Sequence, residues 1–421
     1  MTLAVRGGRV WSDGELELAD VLIEGEVIAA IGDVGPADDE LDAAGCLVLP
    51  GGVDCHTHVL EGLTDATDAA LRSGVTRVEA YAPPEPGERV EDACARWIAR
   101  LGEGVACDVE LLATVYQPDL FDESSFVELA RLGVRGIKLF LAYRELGMEC
   151  DDAVLMRALA WGRRHGVVPR LHCENGGAIA VLREQLFSRG ETGVESHPRS
   201  RPPLVEEEAV RRALDLARLA DARVYIVHVS TRGAVEAIRR ALSDGVDVVA
   251  ETCPQYLLLD QSVYLGNRPE RFVSSPPMRS REHVEAVWQG LADGTLTRVG
   301  SDHAHRAPRT GLPFHELVSG VPGIAARMPL LLSNARLGPA DAIRLACDGR
   351  TLGVRGYADL VLWDQGIDWT LSATSLREGI SSSPWEGTAV RGAVRAVLLR
   401  GEVVVQQGEV LVRRGRYSPY Q

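Results

Sequence analysis

The chain has 421 residues, 46% hydrophobic and 25% charged, an ordinary globular balance that excludes disorder and fibre and leaves room for two or three domains. Sixty acidic side chains outnumber 45 basic ones, for a net charge of −15; such a surface repels phosphate backbones and anionic lipid, so no nucleic-acid or membrane partner is expected. No apolar run is long enough to span a bilayer, and Met1-Thr2-Leu3-Ala4-Val5-Arg6 does not open a signal peptide. The eight cysteines are scattered without CxxC spacing, the usage expected of reduced, buried thiols in a cytoplasmic protein.

Residues 1–48 read as short strands and turns. Val21-Leu22-Ile23 and the run from Val27 to Ile31 are separated by Glu24-Gly25-Glu26 and followed by Gly32-Asp33. Over residues 49–349, β-like runs alternate with helical periodicity. The predicted strands begin with Leu47-Val48-Leu49, which leads to His56, and continue over 76–80, 108–113, 136–141, 167–172, 223–229, 246–251 and 297–301. Predicted helices cover 90–101, 153–165, 205–219, 234–242 and 282–291. Eight strands alternating with helices predict an α/β protein built on a parallel (β/α)8, TIM-like barrel. The alternative, an open doubly wound sheet, would bring a GxGxxG loop after its first strand, and Pro50-Gly51-Gly52-Val53-Asp54 is not one. Residues 350–421 return to strand texture at Ala358 to Trp363, Ala396 to Leu399, Glu402 to Val405 and Val410 to Val412. Residues 1–48 and 350–421 together predict one small β-sandwich domain made from both termini.

His56-Thr57-His58 closes the first barrel strand, and period-2 geometry aims both imidazoles at one point. Alone, His-x-His is weak. Its position strengthens it, because barrel active sites lie at the C-terminal ends of strands. The same positional test selects Lys138 in the fourth strand, His172 ending the fifth, His228 ending the sixth and Asp302 after the eighth. Taken singly, His228 within Tyr225-Ile226-Val227-His228-Val229 would more often be a hydrogen-bonded core histidine. Six apt residues on one rim are hard to attribute to chance.

Lys138 is also the only lysine, so the other 44 basic residues are arginine. It is either a chance survivor of an arginine-biased composition or the site of chemistry that a permanent cation cannot perform. Imidazole and carboxylate suit zinc and related divalent ions, whereas an ammonium group repels them. The conflict disappears if the amine, its pKa lowered by burial and by the metals' charge, reacts with carbon dioxide. The carbamate is a carboxylate on a long stem that can bridge two metals, and arginine cannot form it.

Several segments carry a family resemblance: Pro50 to His58 (PGGVDCHTH), Gly136 to Tyr143 (GIKLFLAY), Leu171 to Gly176 (LHCENG) and Ser200-Arg201-Pro202-Pro203. Glu251 to Leu257 (ETCPQYL), Ser275 to Arg279 (SPPMR), Gly300-Ser301-Asp302-His303 and Gly320-Val321-Pro322-Gly323 complete the set. With them the chain resembles the cyclic amidohydrolases of the amidohydrolase superfamily, in the dihydropyrimidinase and hydantoinase branch, along nearly its whole length.

The resemblance implies two divalent metal ions, zinc first and manganese or cobalt as substitutes, with carbon dioxide held as the carbamate on Lys138. His56, His58, Lys138 and Asp302 would hold the more buried metal; carbamylated Lys138, His172 and His228 the more exposed one. A metal-bridging hydroxide would attack the carbonyl carbon of a cyclic amide or imide, Tyr143 would stabilise the oxyanion, and Asp302 would pass the proton to the leaving nitrogen. On its residues alone, Tyr143 is more often a packed aromatic after a strand. The resemblance also implies a homo-oligomer, a dimer or tetramer, and substrate clamping by Ser275.

Two departures bear on the substrate. Ser319 replaces the asparagine that precedes Gly-Val-Pro-Gly in relatives, and the segment after His58 (Val59-Leu60-Glu61-Gly62-Leu63, then a predicted helix) is several residues short. Both leave space beside the ring and point to a bulkier substrate than dihydrouracil. His303 is expected to orient Asp302. His165, His197, His283, His305 and His315 are expected to be partly exposed, and Cys55, Cys173 and Cys253 to be small core residues. Ring opening, ring closure by the same catalyst and a non-catalytic scaffold all remain open, although the complete ligand set argues against the scaffold.

Overall fold

The computed structural model describes residues 1–101 and 104–419. The N-terminal segment forms β1 (Thr2–Ser12), β2 (Glu15–Glu24), β3 (Val27–Gly32), β4 (Asp39–Asp42) and β5 (Cys46–Pro50). There follow β6 (Gly52–His58), β7 (Val75–Ala82), β8 (Asp108–Thr114), β9 (Gly136–Phe140) and β10 (Val168–His172). Next come β11 (Val224–Ile226), β12 (Val248–Thr252), β13 (Arg298–Val299) and the two-residue β14 (His303–Ala304). The C-terminal segment adds β15 (Leu360–Thr370), β16 (Ala389–Leu399), β17 (Glu402–Gln406) and β18 (Glu409–Val410).

One sheet has the order β18-β17-β16-β15-β5-β1-β2-β3, with β4 beside β1. The C-terminal strands join the N-terminal ones through β15 and β5, which pair antiparallel from Leu360 opposite Pro50 to Asp364 opposite Cys46. Val10, Ile23, Val48, Leu362 and Leu398 belong to its apolar core.

The second sheet has the order β13-β12-β11-β10-β9-β8-β7-β6-β14. From β8 to β13 the neighbours pair in parallel. The helices Asp152–His165, Pro203–Ala220, Arg232–Ser243 and Arg281–Ala292 alternate with these strands. Strands β6 to β13 and their helices make the (β/α)8 fold. Every residue of β9 and β11 is buried, as expected of parallel strands covered on both faces. Start signals are local: Asp151 and Thr231 accept hydrogen bonds from the N–H groups of Val154 and Ala234, capping the helices that follow.

By packing, the chain divides into two compact units. One comprises Met1–Glu79, Leu101–Val109 and Gly323–Tyr417; the other consists chiefly of Ala80–Arg100 and Glu110–Pro322. All eight cysteines are buried thiols, none of them in a disulfide. Among the described residues no helix is long and apolar enough to cross a membrane.

The structure corrects the predicted first barrel strand. Leu47-Val48-Leu49 lies in β5, beside β1 and β15, and the barrel strand is β6. The hand-over occurs at a glycine pair: Gly51 N–H donates to Asp359 O at 2.9 Å, and Gly52 N–H donates to Gly74 O at 2.8 Å. The apolar β5 (CLVLP) runs into β6 (GVDCHTH) with only Gly51 between them, so the pattern of residues did not assign them to different sheets. The glycines are there for space. A Cβ on Gly51 would lie 1.9 Å from Thr76 Oγ1, and one on Gly52 would lie 2.4 Å from Met328 Sδ. Replacing Gly51→Ala is expected to cost about 1–3 kcal/mol, as overpacking typically does. Chemical denaturation should show the loss, and an unchanged midpoint would refute so close an approach.

Candidate functional site

Alternation along β9 puts Lys138 on the same face as Gly136 and Phe140, opposite Ile137 and Leu139. In register, Lys138 stands beside Arg170 of β10, and Phe140 beside His172. Lys138 is 2% exposed, and its Nζ lies 4.9 Å from the Tyr81 ring centroid and 5.8 Å from that of Phe140. Burial drives the amine down to about 8, against the opposing pull of the Asp302 and Glu251 carboxylates. At pH 7 about a tenth of such an amine is neutral and nucleophilic.

His172 ends β10 and is buried. Its Nδ1 lies 3.0 Å from His228 Nε2, and its Nε2 lies 2.8 Å from Glu174 Oε2. The carboxylate accepts the Nε2 hydrogen, which leaves Nδ1 with its lone pair facing His228. The Tyr143 ring centroid is 5.0 Å from that of His172. Burial raises the Tyr143 phenol to about 12, with the Ser275 hydroxyl hydrogen-bonding to it; the group is therefore a proton donor at neutral pH. Ser275 Oγ and Ser319 Oγ are 2.8 Å apart.

In β6 the two imidazoles of His56 and His58 sit on one face with ring centroids 5.5 Å apart. Thr57 between them turns the other way and donates to Glu79 O at 2.9 Å. His56, His58 and Asp302 each offer a ligand atom, and these three atoms lie within 4.8 Å of one another.

Three of the candidate residues have left-handed backbone: Tyr143 at φ 67°, His228 at φ 39° and Asp302 at φ 51°. Each follows the end of a barrel strand. Non-glycine residues there cost of order 1 kcal/mol or more, and such strain collects at functional sites.

The donor set fits divalent ions. Two imidazoles and a carboxylate converge, and a 3.0 Å separation between His172 Nδ1 and His228 Nε2 is one that two nitrogens about 2.0–2.1 Å from a shared zinc can adopt. The outer hydrogen bond from His172 to Glu174 is the arrangement that orients a ligating imidazole.

One expectation is overturned. His197 is not partly exposed but buried, at 4%; its Nε2 lies 2.7 Å from Ser274 O, and burial takes its pKa down to about 4. The polar segment around it gave no sign that it would pack under the residue preceding Ser275. His165, His283 and His305 are half-buried, and His315 is exposed. Two residues that the strand-end test did not select also belong here. Glu174 is fully buried; burial pushes its pKa up, but the Arg201 charge and the hydrogen bond from His172 outweigh this and hold it down to about 2. Arg201 is 6% exposed and ion-paired to Glu174. Glu174 lies two residues after His172, a signal that was available; nothing in the sequence showed that Arg201 returns to it.

The profile of the amidohydrolase family matches residues 47–404. The D-hydantoinase of Ralstonia pickettii is 31% identical over 441 aligned residues, covering 97% of this chain and 96% of that protein. The D-hydantoinase of Streptomyces coelicolor is 33% identical over 458, covering 99% and 97%. The crystal structure of a dihydropyrimidinase from Brevibacillus agri superposes with a TM-score of 0.92 at 31% identity, covering 100% of this chain and 98% of that one. The chain belongs to the amidohydrolase family.

Proposed function

We propose that this protein is a metal-dependent hydrolase that opens the C–N bond of a cyclic amide of the hydantoin and dihydropyrimidine kind. The observation that carries this reading is the only lysine, buried and depressed to about 8 beside Asp302 in a family whose named relatives are hydantoinases and dihydropyrimidinases. Those relatives also disfavour the ring-closing direction.

His56, His58, Lys138 and Asp302 would hold one divalent ion, and Lys138, His172 and His228 a second, with Lys138 as the carbamate formed when its neutral amine adds carbon dioxide and releases a proton. Zinc is the first choice for an imidazole-rich site, with manganese or cobalt able to replace it. Bound there, the ions supply Lewis acidity and a hydroxide at neutral pH. The chain's own groups do the rest. Asp302 accepts a proton and delivers it to the leaving nitrogen, which departs poorly as an anion. The Tyr143 hydroxyl donates to the oxygen that gains charge. The Ser275 and Ser319 segment meets the polar edge of the ring, and the hydroxyl pairing of these two serines leaves a shorter clamp than an asparagine would. After His58 the chain turns through Val59–Gly62 directly into the helix Leu63–Arg72, which supports a pocket with less wall.

The protein loaded with metal should contain about two divalent ions per chain and convert cyclic ureides to their open acids with the mass gain of one water. Chelation should abolish turnover, and kcat/KM should rise from dihydrouracil to larger cyclic ureides, imides or lactams. No product from any ring by metal-replete protein would overturn the hydrolase reading; dihydrouracil as the best substrate would overturn the size inference alone.

Lys138→Arg keeps the cation and removes the chemistry. It should fold, lose at least one metal and nearly all turnover, whereas Lys138→Ala should be partly rescued by a small carboxylic acid. Normal metal content in the arginine variant would refute the carbamate.

Burial also has a pH signature. Because the folded pKa of Lys138 lies near 8 and the model-peptide value is 10.5, the unfolded chain binds more protons between those values, and stability gains with rising pH across that window. In metal-free, bicarbonate-free protein, Lys138→Met should therefore be more stable than the parent below pH 8. That advantage should shrink toward pH 10.5, as read from chemical denaturation at each pH; a difference independent of pH would contradict the buried, depressed amine.

A further inference from the structure

Between the helices Gly176–Ser188 and Pro203–Ala220 the chain makes two short turns, Val194–Ser196 and His197–Ser200, and then reaches Arg201. A guanidinium 6% exposed is costly unless its charge is met, and here it meets Glu174, whose Oε2 pairs with both Arg201 Nη1 and His172 Nε2. The same guanidinium carbon lies 5.1 Å from the centroid of the Tyr143 ring, within the range of a cation–π contact. One side chain thus touches the partner of a candidate metal ligand and the candidate oxyanion donor.

The backbone of Arg201 is itself held. Its carbonyl accepts from Arg279 Nη1, and Arg279 donates through Nη2 to Glu206 Oε2 at 3.1 Å and through Nε to Ser230 Oγ at 3.0 Å. Ser230 lies two residues after His228, and Arg279 four after Ser275. All these side chains are buried. Buried ion pairs of this kind are weak evidence for stability, because apolar replacements are often as stable; they can fix one geometry instead.

We infer that Arg201 is a positioning residue of the hydrolytic site: through Glu174 it keeps the His172 Nε2 hydrogen engaged so that Nδ1 faces the metal position, and through its stacked guanidinium it holds the Tyr143 ring. This rests on the hydrolase reading and adds to it a single cation that aligns both halves of the machinery. Without it, Glu174 loses its ion-pair partner, and the Tyr143 ring loses its contact with the guanidinium.

The test uses the full chain with Arg201→Met, Arg201→Lys, Glu174→Gln, Tyr143→Phe and the Arg201→Met/Tyr143→Phe pair. Zinc affinity of the metal-free protein, measured by competition with a chromophoric chelator, should fall about 10–100-fold in Arg201→Met and in Glu174→Gln, as for loss of an outer partner of a ligating histidine. Arg201→Lys, which restores the charge beside Glu174, should recover most of it. At saturating zinc, kcat for a cyclic ureide should fall at least about tenfold in Arg201→Met with a smaller change in KM. The loss should be clearly smaller when Tyr143 is already phenylalanine, because coupled residues are not additive. Unchanged zinc affinity in Glu174→Gln and Arg201→Met, or equal kcat losses in both Tyr143 backgrounds, would overturn the inference. A parent protein that binds zinc but turns over no ring would instead count against the hydrolase reading, with the affinity arm still deciding whether Arg201 acts on His172.

Discussion

A primary amine 2% exposed to solvent must give up a proton, find an anion or change chemically, and the arrangement around Lys138 answers that demand. The Asp302 and Glu251 carboxylates pull its charge one way and burial the other. Glu251 in turn accepts from the Tyr225 hydroxyl at 2.6 Å, and Arg170 stands across the ladder from Lys138 with its guanidinium carbon 4.5 Å from the Tyr225 ring centroid. Around Lys138 the barrel interior therefore carries charged and polar side chains rather than an apolar plug. Buried charges of this kind are sensitive to the loss of any one partner.

Aim is the second requirement. A strand presents its side chains perpendicular to the sheet, and residues just beyond a strand end need another device to point into the rim. At Tyr143, His228 and Asp302 that device is a left-handed φ. The backbone strain is local, and two of these side chains are held by contacts: Tyr143 by ring packing on Phe140 and His172, and His228 by the approach of its Nε2 to His172 Nδ1.

Much of this was legible in the sequence. The strand runs, their alternation with helices and the strand-end positions of His56, His58, His172 and His228 follow from periodicity, because the barrel repeats a simple pattern. The terminal β texture predicted one small β-domain from two ends, and both ends do supply strands to one sheet. What stayed hidden depends on long-range return. His197 and Arg201 sit in a polar, proline-rich stretch with no periodic face, and their burial is decided by Ser274 and Glu174, 77 and 27 residues away. The division of 46–58 into two strands was hidden for another reason: only Gly51 lies between β5 and β6, and the break there is set by backbone proximity. Left-handed residues such as Tyr143 and Asp302 carry no local glycine or asparagine to announce them.

The pairing of β5 with β15 has a consequence for synthesis. Residues 46–50 are buried throughout and apolar, yet their antiparallel partner is residues 360–364. At roughly 5–20 residues per second, a ribosome needs about 15–60 s to supply it. Through that interval one edge of β5 is an open, hydrophobic hydrogen-bonding row while the barrel strands emerge and pair with one another. Exposed edges of this kind invite strand addition from other chains. The protein's vulnerable moment thus falls during translation, and any arrest or truncation before residue 360 prolongs it.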